Sequence, residues 1–205
     1  MGVARPNGRY GEGMTTRRQL IVGLGAAALS GRFGTSARAD EPILTDDGIY
    51  RQPWFLESFL ELGDDLNQSA RQGKRFAVMW ELKGCPYCRE THMVNFARPD
   101  IDEFVRSNFE ILQLNVVGSR KVTDFDGSEL SEKQIAARYG VRFTPTFQFF
   151  PESSAELRDR DAGKREVARM AGYLKPDDFL AMFRYVRAKA YETTTFRDFL
   201  KSARS

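Results

Sequence analysis

Residues 76–96 read FAVMWELKGCPYCRETHMVNF. The first five of these residues are apolar and are typical of a buried strand, whereas residues 89–96 can continue as a helix. Cys85 and Cys88 are the only cysteines of the chain. The pattern therefore places both thiols where a strand leads into the N-terminus of a helix.

Pro86 separates the cysteines and suits the first position of a helix, because proline has no N–H to lose there. Cys85 is then the N-cap residue, and unpaired backbone N–H groups and the positive end of the helix dipole point at its sulfur. This environment favours the thiolate over the thiol. We expect Cys85 to attack a disulfide and Cys88 to resolve the mixed disulfide that results.

Three other uses of the two cysteines agree less well with the sequence. A structural disulfide with so short a loop would remove little entropy from the unfolded chain. A zinc site needs four ligands, and the chain has one histidine and no further cysteine. Covalent haem attachment requires a histidine directly after the second cysteine, where this chain has Arg89. We therefore predict a redox dithiol without a metal or cofactor.

The first 39 residues differ in composition from the rest. Arg17 and Arg18 precede a short apolar stretch at residues 20–29, and Ala37-Arg38-Ala39 matches a small-residue cleavage site. Together these features are typical of a twin-arginine (Tat) export signal cleaved near Ala39, and they predict a periplasmic protein. A membrane anchor would need ~20 apolar residues. Met14 is an alternative start of translation.

The proposed cleavage divides the chain into a signal peptide (residues 1–39), an irregular lead-in (40–53) and one domain with a C-terminal extension (54–205). The chain has a net charge of +3, from 31 basic and 28 acidic residues. The signal holds six arginines and one glutamate, so residues 40–205 keep 25 basic and 27 acidic residues, a net charge of −2. This balance gives no indication of a nucleic-acid partner.

Hydrophobic periodicity and turn residues predict the remaining elements. They are a helix over residues 54–70, a helix over 100–107, a strand over 110–117, a loop or small hairpin over 118–129, a helix from Ser131 to Tyr139, a strand after Pro145, a strand over 166–171, a helix over 177–188 and a short helix over 196–201. Acidic residues at 124, 126 and 129 partly match a calcium loop, but an Asx-type turn is the simpler interpretation.

Residues 141–150 carry the second informative pattern. Alternating aromatic residues after Pro145 predict a strand, and proline is permitted at the first position of a strand. The Thr144–Pro145 bond can be cis or trans, and the spacing alone does not decide between them. If it lies beside the dithiol, the main chain of Thr144 can pair with an extended substrate segment.

The strand that contains Trp80, the Gly-Cys-Pro-Tyr-Cys sequence at 84–88, the Phe-Thr-Pro-Thr-Phe sequence at 143–147 and the order of elements resemble the thioredoxin fold over residues 54–190. The resemblance implies an α/β fold with a central mixed β-sheet flanked by helices, with an N-terminal helix and a short C-terminal helical extension. It also implies that Pro145 is a cis-proline that faces Cys85. Substrate-binding positions implied in the same way are Trp80, Pro86, Tyr87 and Thr144.

More narrowly, the export signal, residues 80–96 and the aromatic C-terminal tail resemble the SoxW-type periplasmic thioredoxins of sulfur-oxidising bacteria. That resemblance implies a protein-disulfide reductase for periplasmic proteins that contain disulfides. Its electrons would come from a membrane transporter of the DsbD/CcdA kind.

Two positions depart from the thioredoxin pattern. Thioredoxins have a buried aspartate six residues before the first cysteine, and this chain has Met79 there. Glu81 follows on the same strand face and can replace the aspartate as proton acceptor for Cys88, although a surface position at the strand end is the simpler expectation. His92 lies one helical turn after Cys88. It can relay a proton or face a partner, but a packing or solvent position is favoured.

Other functions remain open at this point. The dithiol could serve a Dsb-type oxidase or isomerase, or a thioredoxin of cytochrome c maturation. A thioredoxin-fold module that binds a partner without redox chemistry is an alternative of another class. Glutaredoxins share the Cys-Pro-Tyr-Cys sequence, but the chain is long for a glutaredoxin and we identify no glutathione site.

Overall fold

The computed structural model describes residues 40–204. The predicted signal peptide, residues 1–39, lies outside them. The strands and helices are, in chain order, β1 (Ile43–Leu44), β2 (Tyr50–Arg51), α1 (Leu62–Arg71), β3 (Arg75–Glu81), α2 (Pro86–Glu90), α3 (Pro99–Asn108), β4 (Phe109–Asn115), β5 (Lys121–Thr123), β6 (Glu129–Ser131), α4 (Glu132–Arg138), β7 (Thr146–Phe149), β8 (Ala168–Ala171), α5 (Pro176–Arg187) and α6 (Phe196–Arg204).

The central sheet has four strands in the order β4-β3-β7-β8. β3 and β4 run parallel, whereas β7 runs antiparallel to β3 and to β8. Trp80 pairs with Leu114 on one side and with Thr146 on the other. The register brings the end of β3 beside the start of β7, so the Cys-containing loop and the Thr144–Pro145 bond lie at the same edge of the sheet. The predicted mixed sheet is confirmed.

Every residue of β3 is buried, and its side chains alternate between two cores. Ala77 and Met79 pack in a cluster with residues of α3, β7 and α5, where aromatic rings meet edge to face. Phe76, Val78 and Trp80 pack on the opposite face with residues of α1 and α4. The helices therefore cover both faces, as a buried sheet with a parallel strand pair requires.

The predicted helix over residues 54–70 is wrong in its first half, because α1 begins only at Leu62. Leu60 has a φ of 66°, which breaks a right-handed helix. Trp54 donates its indole N–H to Asp102 Oδ1 in α3 at 2.7 Å, and Phe55 is buried beside it. Phe59, which lies within the predicted helix, is 98% exposed.

Residues 40–53 are also more ordered than predicted. β1 and β2 form a short antiparallel hairpin, with Gly48 in its turn at a φ of 77°. Gln113 of β4 donates its side-chain amide to the main-chain oxygen of Tyr50. The hairpin is therefore tied to the sheet edge where the cysteines lie.

The polar segment after β4 forms the β5–β6 hairpin, and its acidic turn pairs with arginines. Arg138 and Arg165 each contact both Asp124 and Asp126. Partial burial alone would raise the pKa of Asp126, but hydrogen bonds from Ser128 and Arg165 lower the pKa well below its usual range. The Asx-type turn is confirmed, and the described residues contain no group of three or more potential metal ligands.

Helix α4 begins and ends where the sequence predicted. Ser131 accepts a hydrogen bond from the backbone N–H of Gln134, and the Gln134 side chain accepts one from the N–H of Ser131, so the two form a capping box. Gly140 follows the helix with a φ of 63°, in the left-handed region where glycine is favoured.

The C-terminal helices pack as the apolar spacing indicated. Phe196 and Phe199 of α6 contact the ring of Tyr185 in α5, and the Tyr185 hydroxyl donates to the main-chain oxygen of Thr194. Within residues 40–204, no helix is long and apolar enough to span a bilayer.

Candidate active site

Cys85 and Cys88 lie at the start of α2. Cys85 is the N-cap residue, Pro86 is the first helical residue, and the backbone N–H of Cys88 donates to Cys85 Sγ at 3.1 Å. The two cysteines form a disulfide, with their Cα atoms 5.3 Å apart. A backbone donor directed at the outer sulfur, with a helix N-terminus behind it, stabilises negative charge on that sulfur.

The Thr144–Pro145 peptide bond is cis, as the resemblance implied. The main-chain oxygen of Thr144 lies 3.4 Å from Cys85 Sγ, and the Thr144 hydroxyl donates to the same sulfur at 3.3 Å. Thr144 is therefore in direct contact with the outer cysteine. An extended partner segment that pairs with its main chain would pass across Cys85.

Cys85 and Cys88 differ in solvent exposure. Cys85 is half-buried, whereas Cys88 is only 5% exposed. Pro86 is exposed, and Tyr87 is 55% exposed with its ring stacked on Tyr173 at a centroid distance of 5.8 Å. Pro86 and Tyr87 are thus available to a partner that approaches Cys85.

Trp80 does not lie at this surface, contrary to the expected substrate contact. Its side chain is 1% exposed and its indole N–H donates to Gln148 Oε1 of β7. Strand alternation is the reason, because Trp80 points to the face of β3 opposite to Met79 and Glu81. Trp80 is a core residue.

Glu81 and His92 lie together beneath the dithiol, and both side chains are fully buried. His92 Nε2 is 2.9 Å from Glu81 Oε1. The favoured expectation of a surface position for Glu81 is therefore wrong. His92 has a packing position, as favoured, with its ring beside those of Phe55 and Phe96, and it also contacts Glu81. The α2 helix continues from Thr91 to Asn95 as a π-helical turn, which carries His92.

Two glutamines also contact the Glu81–His92 pair, and the sequence did not predict their positions there. Gln113 of β4 donates its side-chain amide to Glu81 Oε2, and Gln52 Nε2 is 3.3 Å from His92 Nδ1. Glutamine has no distinctive spacing in either segment. The only available signal was the polar Gln113 in the otherwise apolar strand of residues 111–114.

A cavity of about 640 Å³ separates the β1–β2 hairpin from the cysteine loop. Its lining includes Tyr50 of the hairpin, Glu81 of β3 and both cysteines. Glu81 therefore borders the same cavity as the disulfide, although its side chain is fully buried. This geometry can support thiol–disulfide exchange, with Cys85 outside and Cys88 inside.

A family model described as a thioredoxin-like domain matches residues 62–187. The chain belongs to this family. The match includes both cysteines, the cis-proline and all four strands of the central sheet. No curated protein matches the chain.

Several solved structures of thioredoxin-like proteins are similar to it. A thioredoxin-fold protein from Helicobacter pylori is 19% identical, covers 63% of this chain and 84% of its own, and has a TM-score of 0.46. A thioredoxin from Thermus thermophilus is 22% identical over 60% of this chain and 81% of its own, with a TM-score of 0.44. The periplasmic thioredoxin SoxS from Paracoccus pantotrophus is 21% identical over 57% and 99%, with a TM-score of 0.34. The family match, rather than these superpositions, carries the assignment.

Proposed function

We propose that this protein is a periplasmic thiol–disulfide oxidoreductase that reduces disulfides in partner proteins. The observation that carries the proposal is the set of contacts at Cys85 Sγ. This half-buried sulfur meets the N–H of Cys88 and the main chain of Thr144, at a helix N-terminus beside a cis-proline. Cys88 is buried one helical turn further on, where the sulfur within its reach is Cys85 Sγ.

The reaction proceeds in two exchanges. The Cys85 thiolate attacks one sulfur of the partner disulfide, whose S–S bond breaks, and the other partner sulfur leaves and takes a proton from solvent. Cys88 then loses its proton and attacks Cys85 Sγ, which releases the second partner thiol. Two electrons pass to the partner, and the Cys85–Cys88 disulfide remains.

Thr144 would position the partner through its main-chain oxygen, and Pro145 would hold that peptide in place. Pro86 and the exposed face of Tyr87 would contact the partner on the other side of the sulfur. Trp80 has no role in this proposal, because its side chain is in the core.

The periplasmic location rests on the twin-arginine pattern, with cleavage near Ala39 and a mature domain over residues 40–205. A SoxW-type role in sulfur oxidation, with a membrane electron transporter of the DsbD/CcdA kind as reductant, is the specific form that we propose. Periplasmic proteins that contain disulfides are then the substrates. The protein as proposed needs no cofactor.

Two cysteine variants test the proposal. Cys85→Ser should abolish reduction of insulin disulfides, and Cys88→Ser should retain attack but accumulate Cys85–partner mixed disulfides in a periplasmic extract. Mass spectrometry of the trapped species identifies the partner and separates sulfur oxidation from cytochrome c maturation. Full biological activity of Cys85→Ser would instead support a binding module without redox chemistry.

The direction of electron flow is tested by the reduction potential of the Cys85–Cys88 pair. A value of about −270 mV fits a reductase, and one of about −120 mV fits a Dsb-type oxidant. Equilibration with glutathione or dithiothreitol buffers measures it. An oxidising value would overturn the reductase direction and leave the dithiol assignment intact.

A further inference from the structure

The cavity beside the dithiol has one wall that lies outside the matched domain. The family match begins at residue 62, whereas the β1–β2 hairpin occupies residues 43–51. The hairpin is attached to the domain through the hydrogen bond from Gln113 to the main-chain oxygen of Tyr50, and its Ile49 side chain is only 5% exposed. This chain therefore adds a wall of its own opposite the cysteine loop.

The cavity reaches the cysteines from a side other than that of the cis-proline. Cys85 and Cys88 line it, whereas its lining includes neither Thr144 nor Pro145. Thr144 nevertheless contacts Cys85 Sγ through both its main-chain oxygen and its hydroxyl. A partner segment that pairs with the main chain of Thr144 thus leaves the cavity open to a different reactant.

The size and the apolar walls of the cavity suit a small molecule. Its volume of about 640 Å³ is within the range of ligand pockets, which are mostly apolar with a few polar groups. Leu44 on the hairpin is 59% exposed and Leu82 on the cysteine loop is 36% exposed. Two large apolar side chains that line one cavity and remain accessible offer a site for an aliphatic group.

Two cations also line the cavity. Lys83 and Arg89 are exposed, and within residues 40–204 neither side chain forms an ion pair. The stem of Lys83 lies against the hairpin turn, because a Cβ atom on Gly48 would be 2.9 Å from Lys83 Cε. This close approach, which glycine allows, keeps the Lys83 side chain between the cysteine loop and the hairpin.

The acidic residues of the lining do not cancel these two charges. Glu81 is fully buried and hydrogen-bonded to Gln113, so it is not accessible from the cavity. Asp46 in the hairpin turn is the only exposed carboxylate of the lining. Lys83 and Arg89 contribute two positive charges and Asp46 one negative charge, so the accessible charge is +1. The cavity therefore favours an anion.

We propose that this cavity binds a small disulfide that carries carboxylate groups, or the corresponding thiol, beside Cys85. A carboxylate of the ligand lies at Lys83 and Arg89, and its aliphatic part lies between Leu44 and Leu82. The proposal rests on the dithiol function above. It adds a second class of substrate to the disulfides of partner proteins.

The chemistry is the exchange already described, with a small molecule as the partner. The Cys85 thiolate attacks one sulfur of the small disulfide, whose S–S bond breaks, and one small thiolate leaves and takes a proton from solvent. Cys88 loses its proton and attacks Cys85 Sγ, which releases the second small thiol. The dithiol loses two electrons and the small disulfide gains them. In the reverse direction two small thiols reduce the Cys85–Cys88 disulfide.

Three small disulfides of similar size and different charge test the site. Dithiodipropionate is a dianion, hydroxyethyl disulfide is neutral and cystamine is a dication. Each is mixed with the reduced protein at constant pH and ionic strength, and alkylation at timed intervals followed by mass spectrometry gives the rate. A change in the ionisation of Cys85 alters all three rates alike, so the ratio of the anion rate to the neutral rate reports the site.

We expect this ratio to be roughly tenfold higher for the protein than for dithiothreitol, which has no site. Lys83→Gln and Arg89→Gln should each lower it roughly threefold, as expected for one accessible charge pair. Asp46→Asn should raise it by a similar factor. Lys133→Gln is the matched control, because Lys133 is an exposed lysine of α4 that does not line the cavity, and it should leave the ratio unchanged.

A binding measurement separates a built site from general attraction of anions. Suberate is dithiodipropionate with methylene groups in place of the two sulfurs, so it cannot react. In ¹H–¹⁵N spectra of the oxidised wild-type protein, suberate should shift the backbone amides of Leu44, Lys83 and Arg89 in a saturable way. It should also slow the reaction of the reduced protein with dithiodipropionate competitively.

The two proposals fail in different ways. A reduced wild-type protein that reacts with none of the three disulfides overturns the dithiol function. Reaction with all three in the same proportions as dithiothreitol overturns this inference alone. Spectra in which suberate shifts no amide of the hairpin or of the cysteine loop also overturn it, whatever the rates.

Discussion

Asp65 offers a test of how burial changes the stability of this fold with pH. The residue lies in the first turn of α1, is 7% exposed and accepts a hydrogen bond from the Ser58 hydroxyl at 2.6 Å. Burial raises the pKa of Asp65 to about 6, the charges of Asp64 and Glu61 add to the effect, and the Ser58 hydrogen bond opposes it. Asp65→Asn keeps the shape and the acceptor oxygen but removes the charge.

The sign of the effect follows from proton linkage. The pKa of Asp65 is higher in the folded state than the ordinary value of 3.8, so the native state binds the proton more tightly. The free energy of unfolding of the wild type therefore falls as the pH rises from about 4 to about 6, and stays level above that. The free energy of unfolding of Asp65→Asn should not fall in this way over the same pH range.

The shift corresponds to at most about 3 kcal/mol at ~1.4 kcal/mol per pKa unit. Solvent screening at the partly accessible carboxylate reduces the expected gain of Asp65→Asn to about 1.5 kcal/mol at pH 8. At pH 4 the variant and the wild type should agree within about 0.5 kcal/mol, because the group is then largely protonated in the native state.

Urea unfolding at pH 4 and pH 8, followed by circular dichroism, measures both values. Asp64→Asn is the matched control, since Asp64 is the exposed neighbour in the same helical turn. It should change the free energy of unfolding by less than about 1 kcal/mol at both pH values. A variant Asp65→Asn that is less stable than the wild type at pH 8, or equally stabilised at pH 4 and pH 8, would refute the reasoning.

Three further predictions concern stability. Trp80→Phe removes the donor to Gln148 Oε1 in the core and should lower the free energy of unfolding in urea by about 1–3 kcal/mol. Insulin reduction per folded molecule should stay at the wild-type rate. A slower reduction would contradict the assignment of Trp80 to the core. Gly140→Ala should cost about 1 kcal/mol from its φ of 63° alone, because a Cβ there meets no atom within 4 Å, and an unchanged melting temperature would be inconsistent with that strain. Asp126→Asn should be less stable than the wild type at pH 7, with the difference shrinking as the pH falls below about 4, because the lowered pKa stabilises the folded state only while Asp126 is ionised. A pH-independent difference would contradict the Asp126 prediction.

The parts of the site that depend on near neighbours could be predicted from the sequence. Cys85 is an N-cap because Pro86 follows it, and Ser131 caps α4 because Gln134 stands three residues later. In both cases the interaction is made within one helical turn. Local patterns therefore located the dithiol and the boundaries of most elements.

The errors arose where a distant residue determines the conformation. Trp54 is held by Asp102, 48 residues away, so its helical spacing with Leu62 did not produce a helix. Glu81 reads as a strand-end carboxylate, but its burial depends on His92 in the next helix and Gln113 in the next strand of the fold. No local pattern brings these side chains together before the sheet is formed.

The alternation in β3 has a consequence for how this protein can change. Because neighbouring side chains point to opposite faces, inserting or deleting one residue between Arg75 and Glu81 would exchange the two environments. The indole of Trp80 would then lie under the dithiol, and the carboxylate would lie among leucine and isoleucine side chains. Loops elsewhere can vary in length during evolution or engineering, but the number of residues in β3 has to stay the same.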